Sequence, residues 1–356
     1  MGFNWRGAFD CSASYSAGDV VSYQGSSWIT NTPIGGCVQP PFNPWALLAQ
    51  QGAAGPAGAG GPGLAEIRAA LLQWYPATYG VGLSPEGVAF DGSNIWVANY
   101  GGNSVTKLLA STGAVVGTYA VGIGPVSVAF DGTNIWVANY GNHGNGNTVT
   151  KLLASTGTVV GTYPANNGPA SVAFDGTNIW VANYVENGVT KLLASTGAVV
   201  GTSGVSGSGP NSLAFDGTHM WVANSGSNNV VEFMSSSMSI IGGFPVGINP
   251  YGIAFDGANI WVTNLGGNSV TKLLASTGAV VGTYGVGSNP AGVAFDGTNI
   301  WVTNNNDGVT KLLASTGAVV GTYGVGSLPS ALAFDGTNIW VANEGDNTVT
   351  KIGATR

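Results

Sequence analysis

Along most of this chain, short runs of apolar and β-branched residues are separated by polar turns of Gly, Asp, Asn and Ser. Between residues 86 and 119 the pattern predicts four strands. Residues 86–90 form the first, and Asp91-Gly92 opens a tight turn into the second, residues 94–99. Residues 104–109 form the third, and Ala110-Ser111-Thr112-Gly113 turns the chain into the fourth, residues 114–119. A Gly-x-x-Pro step, such as Gly82-Leu83-Ser84-Pro85, then leads into the next unit.

The unit recurs. The phrase Phe-Asp-Gly-x-Asn-Ile-Trp-Val returns nearly unchanged from Phe90, Phe130, Phe174, Phe215, Phe255, Phe295 and Phe334, at steps of 40, 44, 41, 40, 40 and 39 residues. Such a period predicts one four-stranded sheet per repeat, and seven such sheets can close into a ring. The expected fold is all-β: a seven-bladed β-propeller of four-stranded antiparallel blades. The last repeat carries only three strands before the chain stops, whereas Thr78-Tyr79-Gly80-Val81-Gly82 matches the outer-strand text at Thr283 and Thr322. An N-terminal outer strand is therefore expected to complete the C-terminal blade. The rival architecture, an open solenoid, would need polar caps that the sequence lacks. One Phe and one Trp per repeat should pack between neighbouring sheets, and the Asp of each Asp-Gly turn reads as structural.

Glycine contributes 59 of 356 residues, which raises the prospect of disorder, but regularly spaced aromatics argue against it. Only 7% of residues are charged and the net charge is −7. Lys107, Lys151, Lys191, Lys272, Lys311 and Lys351 recur once per repeat and are expected around the rim rather than in a patch. Nucleic acid is accordingly not an expected partner. No run of 18 apolar residues exists, so no membrane span is expected, and the first residues lack the features of a signal peptide. The polar, charge-poor surface fits an extracellular or particle-associated setting, reached as a mature form or by another export route.

Three segments emerge: a small β module at residues 1–50, a linker at 51–64 and the propeller at 65–356. In the module, residues 19–30 read as two short strands around a Gln-Gly-Ser turn, and Pro40, Pro41 and Pro44 hold an extended stretch ending at Trp45. Cys11 and Cys37 are either buried thiols or a disulfide, which would contribute about 3 kcal/mol by chain entropy. The linker GAAGPAGAGGPG has glycine at every third position, a collagen-like cadence that reads as a flexible spacer or a fragment of a trimeric stalk.

Function must lie where the repeats differ. The residue after each second strand is Tyr100, Tyr140, Tyr184, Ser225, Leu265, Asn305 or Glu344, and the residue after each inter-blade Pro is Glu86, Val126, Ala170, Asn211, Tyr251, Ala291 or Ser330. Both sets fall on one face, which also carries Glu186, Asp307 and Asp346 and the enlarged loop 141–147. Aromatic rings beside amides and carboxylates suit sugars or polar peptides, and the same face suits a protein partner. Tyr100, Tyr140, Tyr184, Tyr251, Glu86 and Glu344 are the candidates there, with Glu86 and Glu344 facing each other across the closure. Catalysis is poorly supplied. His143 and His219 lie in different repeats, and no phosphate loop, Cys-x-x-Cys or His-Glu-x-x-His occurs. No catalytic residue, metal site or cofactor is expected.

The repeat Pro-x-x-Val-Ala-Phe-Asp-Gly-x-Asn-Ile-Trp-Val-Ala-Asn followed by Asn-x-Val-Thr-Lys-Leu resembles those of the streptogramin-lyase and NHL-like propellers, over residues 65–356. The lyases of that group use histidine, glutamate and magnesium. Here Asn99 and its equivalents replace the group's usual glutamate, and no histidine follows an inter-blade Pro, so that chemistry does not carry over. The N-terminal module resembles small chitin- and cellulose-binding modules through Tyr15, Gly18-Asp19-Val20-Val21, Tyr23, Gly25, Trp28 and Trp45. That resemblance implies that Trp28 and Trp45 contact sugar rings, with Tyr15 behind them, and that Asp19 fixes a turn. The expected function is non-catalytic binding or adhesion to a polysaccharide or surface glycan. Its rivals are a divergent propeller lyase or glycan-active enzyme, and a structural subunit of an extracellular or tail-fibre-like assembly. The oligomeric state is left open.

Overall fold

The structure is a computed structural model that describes residues 4–23, 26–30, 33–35, 37–40, 45–49, 76–306 and 308–354, with backbone only for 45–49. The linker 51–64 and Asp307 lie outside the described residues. The chain divides into two compact units, residues 1–74 and 75–356.

The N-terminal unit holds one four-stranded sheet in the order β1 (Asn4–Ala8), β2 (Asp19–Tyr23), β3 (Ser26–Thr30) and β4 (Trp45–Ala49). β2 and β3 form the expected hairpin, with Val20 opposite Ile29. β1 adds in parallel to β2, and β4 closes the far side against β3. Tyr15, Val21 and Ile34 make a small core with Trp28, Phe9 and Val38 packed against it. A core this small gains from a cross-link. Cys11 and Cys37 are disulfide-bonded, with Cα atoms 4.7 Å apart.

The second unit repeats one antiparallel four-stranded sheet. In the first repeat the strands are β6 (Pro85–Phe90), β7 (Asn94–Asn99), β8 (Ser104–Leu109) and β9 (Val115–Ala120), paired in chain order. The last sheet takes Pro329–Phe334, Asn338–Asn343 and Thr348–Gly353 from the C-terminal repeat, and its fourth strand is β5 (Ala77–Gly80). Thr348 pairs with Gly80, and Thr350 with Thr78.

The repeated phrase acquires its physical meaning here. Asp91 Oδ2 accepts the Trp96 indole N–H at 2.8 Å. Asp91 Oδ1 accepts the backbone N–H groups of Ser93 and Asn94, and the Asn94 amide donates to both oxygens. One carboxylate thus closes the turn and fixes the indole. The Trp ring, fully buried, packs against the next sheet: Trp96, Ala98 and Val105 meet Val128, Ile135, Val137 and Leu152. Equivalent cores fill each junction, and Trp340 with Val349 meets Ile95, Val97 and Leu108 of the first repeat. The apolar core of this unit therefore lies between sheets.

One expectation needs correcting. The recurring lysines are not rim charges; Lys107 is only 4% exposed. Its ammonium stands 5.2 Å from the Trp96 ring centroid and donates to Ala154 O of the next repeat at 2.7 Å. Lys151, Lys272 and Lys311 repeat this arrangement, and Lys351 donates to Ala110 O of the first repeat. The carbonyl at the end of each third strand needs a donor, and the lysine stem reaches it along the indole face.

Candidate functional site

Each second strand ends in a buried Asn that fixes the loop beyond it. Asn99 Nδ2 donates to Ser104 Oγ at 3.1 Å and Thr106 Oγ1 at 3.0 Å, while its Oδ1 accepts the Gly82 N–H at 3.1 Å. A Cβ on Gly82 would stand 2.6 Å from Asn99 Cγ, so the Gly-x-x-Pro step needs its glycine. The residue after the Asn then donates its N–H to the carbonyl just before the Pro strand of its own repeat. Tyr100 bonds Ser84 O at 2.8 Å, Tyr140 bonds Gly124 O at 2.9 Å and Tyr184 bonds Gly168 O at 2.7 Å; Ser225, Leu265, Asn305 and Glu344 do the same. These seven positions are therefore geometrically equivalent, and only their side chains differ.

The first strands neighbour one another in succession, and Pro329–Phe334 neighbours β6. They surround a cavity of about 600 Å³ to which every repeat contributes. Tyr100, Tyr140, Tyr184, Tyr251 and Glu86 all line it, so the structure brings together five of the six residues singled out on this face. Tyr140 and Tyr184 meet edge to face with ring centroids 6.3 Å apart. Around them stand Asn211, Asn249, Ser127, Ser171, Ser212 and Ser225.

Glu344 is not among the lining residues, but its charge is felt within. Burial, helped by Glu344, pushes the Glu86 carboxyl up to about 7. Tyr251 is pushed well above the ordinary phenol value by burial and then by Glu86 and Glu344. Tyr140 rises as well, through burial and its Tyr184 and Tyr100 neighbours. Tyr140 and Tyr251 are thus neutral donors at physiological pH, and Glu86 is the lining carboxyl able to gain or lose a proton near neutrality. Among the described residues, no histidine or cysteine lines the cavity.

The N-terminal candidates fare differently. Tyr15 is 3% exposed, and its hydroxyl accepts the Asp10 N–H and donates to Asp10 O. It is a core residue and offers no stacking face. Trp28 is half-buried against that core, with its indole nitrogen buried. Trp45 pairs through its backbone with Thr30, and its side chain lies outside the described residues. Trp5, which the sequence reading passed over, is 53% exposed on β1. Asp19 accepts the Ser16 N–H at 2.9 Å and the Asn4 amide at 3.1 Å, which fixes the turn into β2.

No protein-family model matches the chain, and no curated protein matches it in sequence. Solved structures do match its fold. Hydrazine synthase from Kuenenia stuttgartiensis superposes with a TM-score of 0.68 at 21% identity, over 76% of this chain and 96% of that one. A streptogramin B lyase gives 0.66 at 16% identity, over 78% and 96%. A catalytically inactive virginiamycin B lyase from Staphylococcus aureus, determined with quinupristin, gives 0.66 at 17% identity, over 78% and 99%. At these identities the likeness defines fold alone: the repeat unit is a β-propeller.

Proposed function

We propose that this protein is a non-catalytic binding protein for a polysaccharide or surface glycan, and that its ligand site is the cavity at the axis of a closed seven-bladed propeller. Closure is supported by bonds joining the two ends of the repeat array. The Ser84 N–H donates to Asn347 Oδ1 at 2.8 Å, and Ser330 Oγ donates to Pro85 O at 3.0 Å. The observation that carries the binding reading is the convergence of four tyrosines from four repeats, with Glu86, on one cavity. Tyrosine faces cover the CH faces of a sugar ring, while phenols, amides and serine hydroxyls satisfy its hydroxyl groups. The volume suits a few sugar rings. Trp5 is the better candidate for a second sugar contact on the N-terminal module, and an extracellular or particle-associated setting fits this role.

The test is a glycan screen of the full chain, followed by titration of the best ligand into Tyr140→Ala and Tyr184→Ala variants. Each substitution should weaken binding about 10-fold to 100-fold, since an anchoring aromatic contributes about 1.5–3 kcal/mol. Unchanged affinity in both variants would remove the axial site from consideration.

One observation favours a second reading, a glycan-active or lyase-type enzyme. A carboxyl with a pKa of about 7 suits general acid–base catalysis. Two of the structurally similar proteins are lyases, one of them determined with quinupristin. Turnover of a bound ligand that disappears in Glu86→Gln would select this reading.

A further inference from the structure

The fourth repeat departs from the other six at two positions that touch. Where they carry Asn after the Asp-Gly turn it carries His219, and where they carry the recurring Lys it carries Glu232. Glu232 pairs across the strands with Trp221 as Lys107 pairs with Trp96. The ammonium of the other repeats is thus replaced by a carboxylate in the same place. His219 Nδ1 lies 3.2 Å from Glu232 Oε1 and 3.2 Å from Asp216 Oδ2. One ligand atom from each of the three residues falls within 4.8 Å of the others. The two carboxylate side chains are 7% and 8% exposed, and the imidazole is 24% exposed.

We propose that Asp216, His219 and Glu232 bind a divalent transition metal of the zinc class, which occupies the place of the missing lysine ammonium. Two independent observations meet here. The first is the ligand geometry. A tetrahedral ion about 2.1 Å from each ligand holds ligand atoms roughly 3.4 Å apart, close to the 3.2 Å separations of His219 from Asp216 and from Glu232. The second is the behaviour of the remaining repeats, which all station a cation beside the Trp ring at 4.8–5.3 Å from its centroid. In the third repeat that ammonium also stands 3.9 Å from the turn carboxylate, Asp175. There the local charges cancel. In the fourth repeat the two buried carboxylates have only the His219 imidazole between them in place of an ammonium, and a bound ion held by all three would supply the missing charge.

The donor set selects the ion. An imidazole nitrogen with two carboxylate oxygens suits zinc and its neighbours, whereas calcium and magnesium prefer oxygen alone. Asp216 Oδ2 accepts the Trp221 indole N–H at 2.8 Å and faces His219 Nδ1 at 3.2 Å, a contact that a bound ion would replace. That indole bond orients the carboxylate from behind, as outer-shell donors do in metal sites. The imidazole's partial exposure leaves a further coordination position open to water. The triad sits at the start of its second strand, a strand length of about 17 Å from the loops that line the axial cavity. This site is therefore separate from the proposed glycan site and does not depend on it.

The experiment uses the full chain, stripped with chelator and titrated with Zn²⁺ by calorimetry, with Co²⁺ visible absorption as a second probe. A single equivalent should bind, with intense d–d bands for the cobalt form and a higher melting temperature with zinc. The paired variant His219→Asn with Glu232→Lys installs the residues that the other repeats already fold with. It should keep a native melting transition while zinc affinity falls about 100-fold or more. Absence of saturable zinc binding by the unaltered chain, or equal binding by the paired variant, overturns the proposal.

Discussion

In each repeat a single aspartate holds several groups at once. Asp131 accepts the Trp136 indole N–H, the Asn134 amide and two backbone N–H groups. Burial alone would raise its pKa, and these donors bring it below the ordinary carboxylate value. Asp131→Ala would leave the indole of a fully buried Trp without an acceptor, at a cost of about 2–4 kcal/mol. Urea denaturation checks this, and an unchanged midpoint would contradict it. Glu86 shows the opposite shift. Its folded pKa of about 7 lies above the 4.5 of a free carboxyl, so the contribution of Glu86 to stability is fully present below about pH 4.5 and is lost as pH rises through 7. The linkage corresponds to about 3 kcal/mol, and water in the open cavity reduces that to about 2. Glu86→Gln should therefore match the parent near about pH 4.5 and exceed its stability by about 2 kcal/mol near pH 8; parallel melting curves would refute the burial. The structural aspartates were legible in the sequence because their turn partners are adjacent. The lysines were not. Their partners are an indole across the strand and a carbonyl one repeat away, so the sequence around each one suggests only a solvated charge.

At the scale of elements, repetition made the strands readable. Identical text at equivalent positions marks their limits, and the outer-strand wording near Tyr79 points to β5 as the partner of the C-terminal strand. The N-terminal sheet was half legible. β2 and β3 are marked by apolar residues on either side of a Gly-Ser turn, whereas β1, with Asn, Arg and Gly among its five residues, carries no period-2 signal and is recruited by pairing with β2. Tyr15 was placed behind the two tryptophans by its match to a sugar-binding pattern, and it is a core residue, since in so small a sheet the large rings are needed for the core. A chain beginning at residue 75 keeps β5, and one beginning at residue 83 loses it. The shorter chain should melt at a lower temperature or aggregate, since the strand Thr348–Gly353 would become a bare edge. Equal melting of the two chains would show that β5 is dispensable.

Across the whole molecule, near-identity of the repeats sharpens the meaning of each exception. Tyr100, Tyr140 and Tyr184 could be placed on one face because they share one repeat position, and Tyr251 and Glu86 because they follow the same Pro. Their depth was not readable. It depends on how closely the first strands approach one another, which no single repeat specifies, and so the displaced proton equilibrium of Glu86 could not be foreseen. The triad at His219 escaped notice for a related reason. Glu232 reaches Asp216 and His219 only through strand pairing, and the simultaneous change of Asn to His and Lys to Glu in one repeat is the signal that joins them.

The borrowed strand carries a further implication. β5 bears the same Thr-Tyr-Gly wording as the outer strands at Thr283 and Thr322, so another copy's β5 would fit the last sheet as well as the chain's own. Only tethering favours self-pairing, through an effective concentration on the order of millimolar. A chain that completes its last sheet with its own β5 would thus be favoured by dilution, whereas strand exchange between chains would be favoured by crowding.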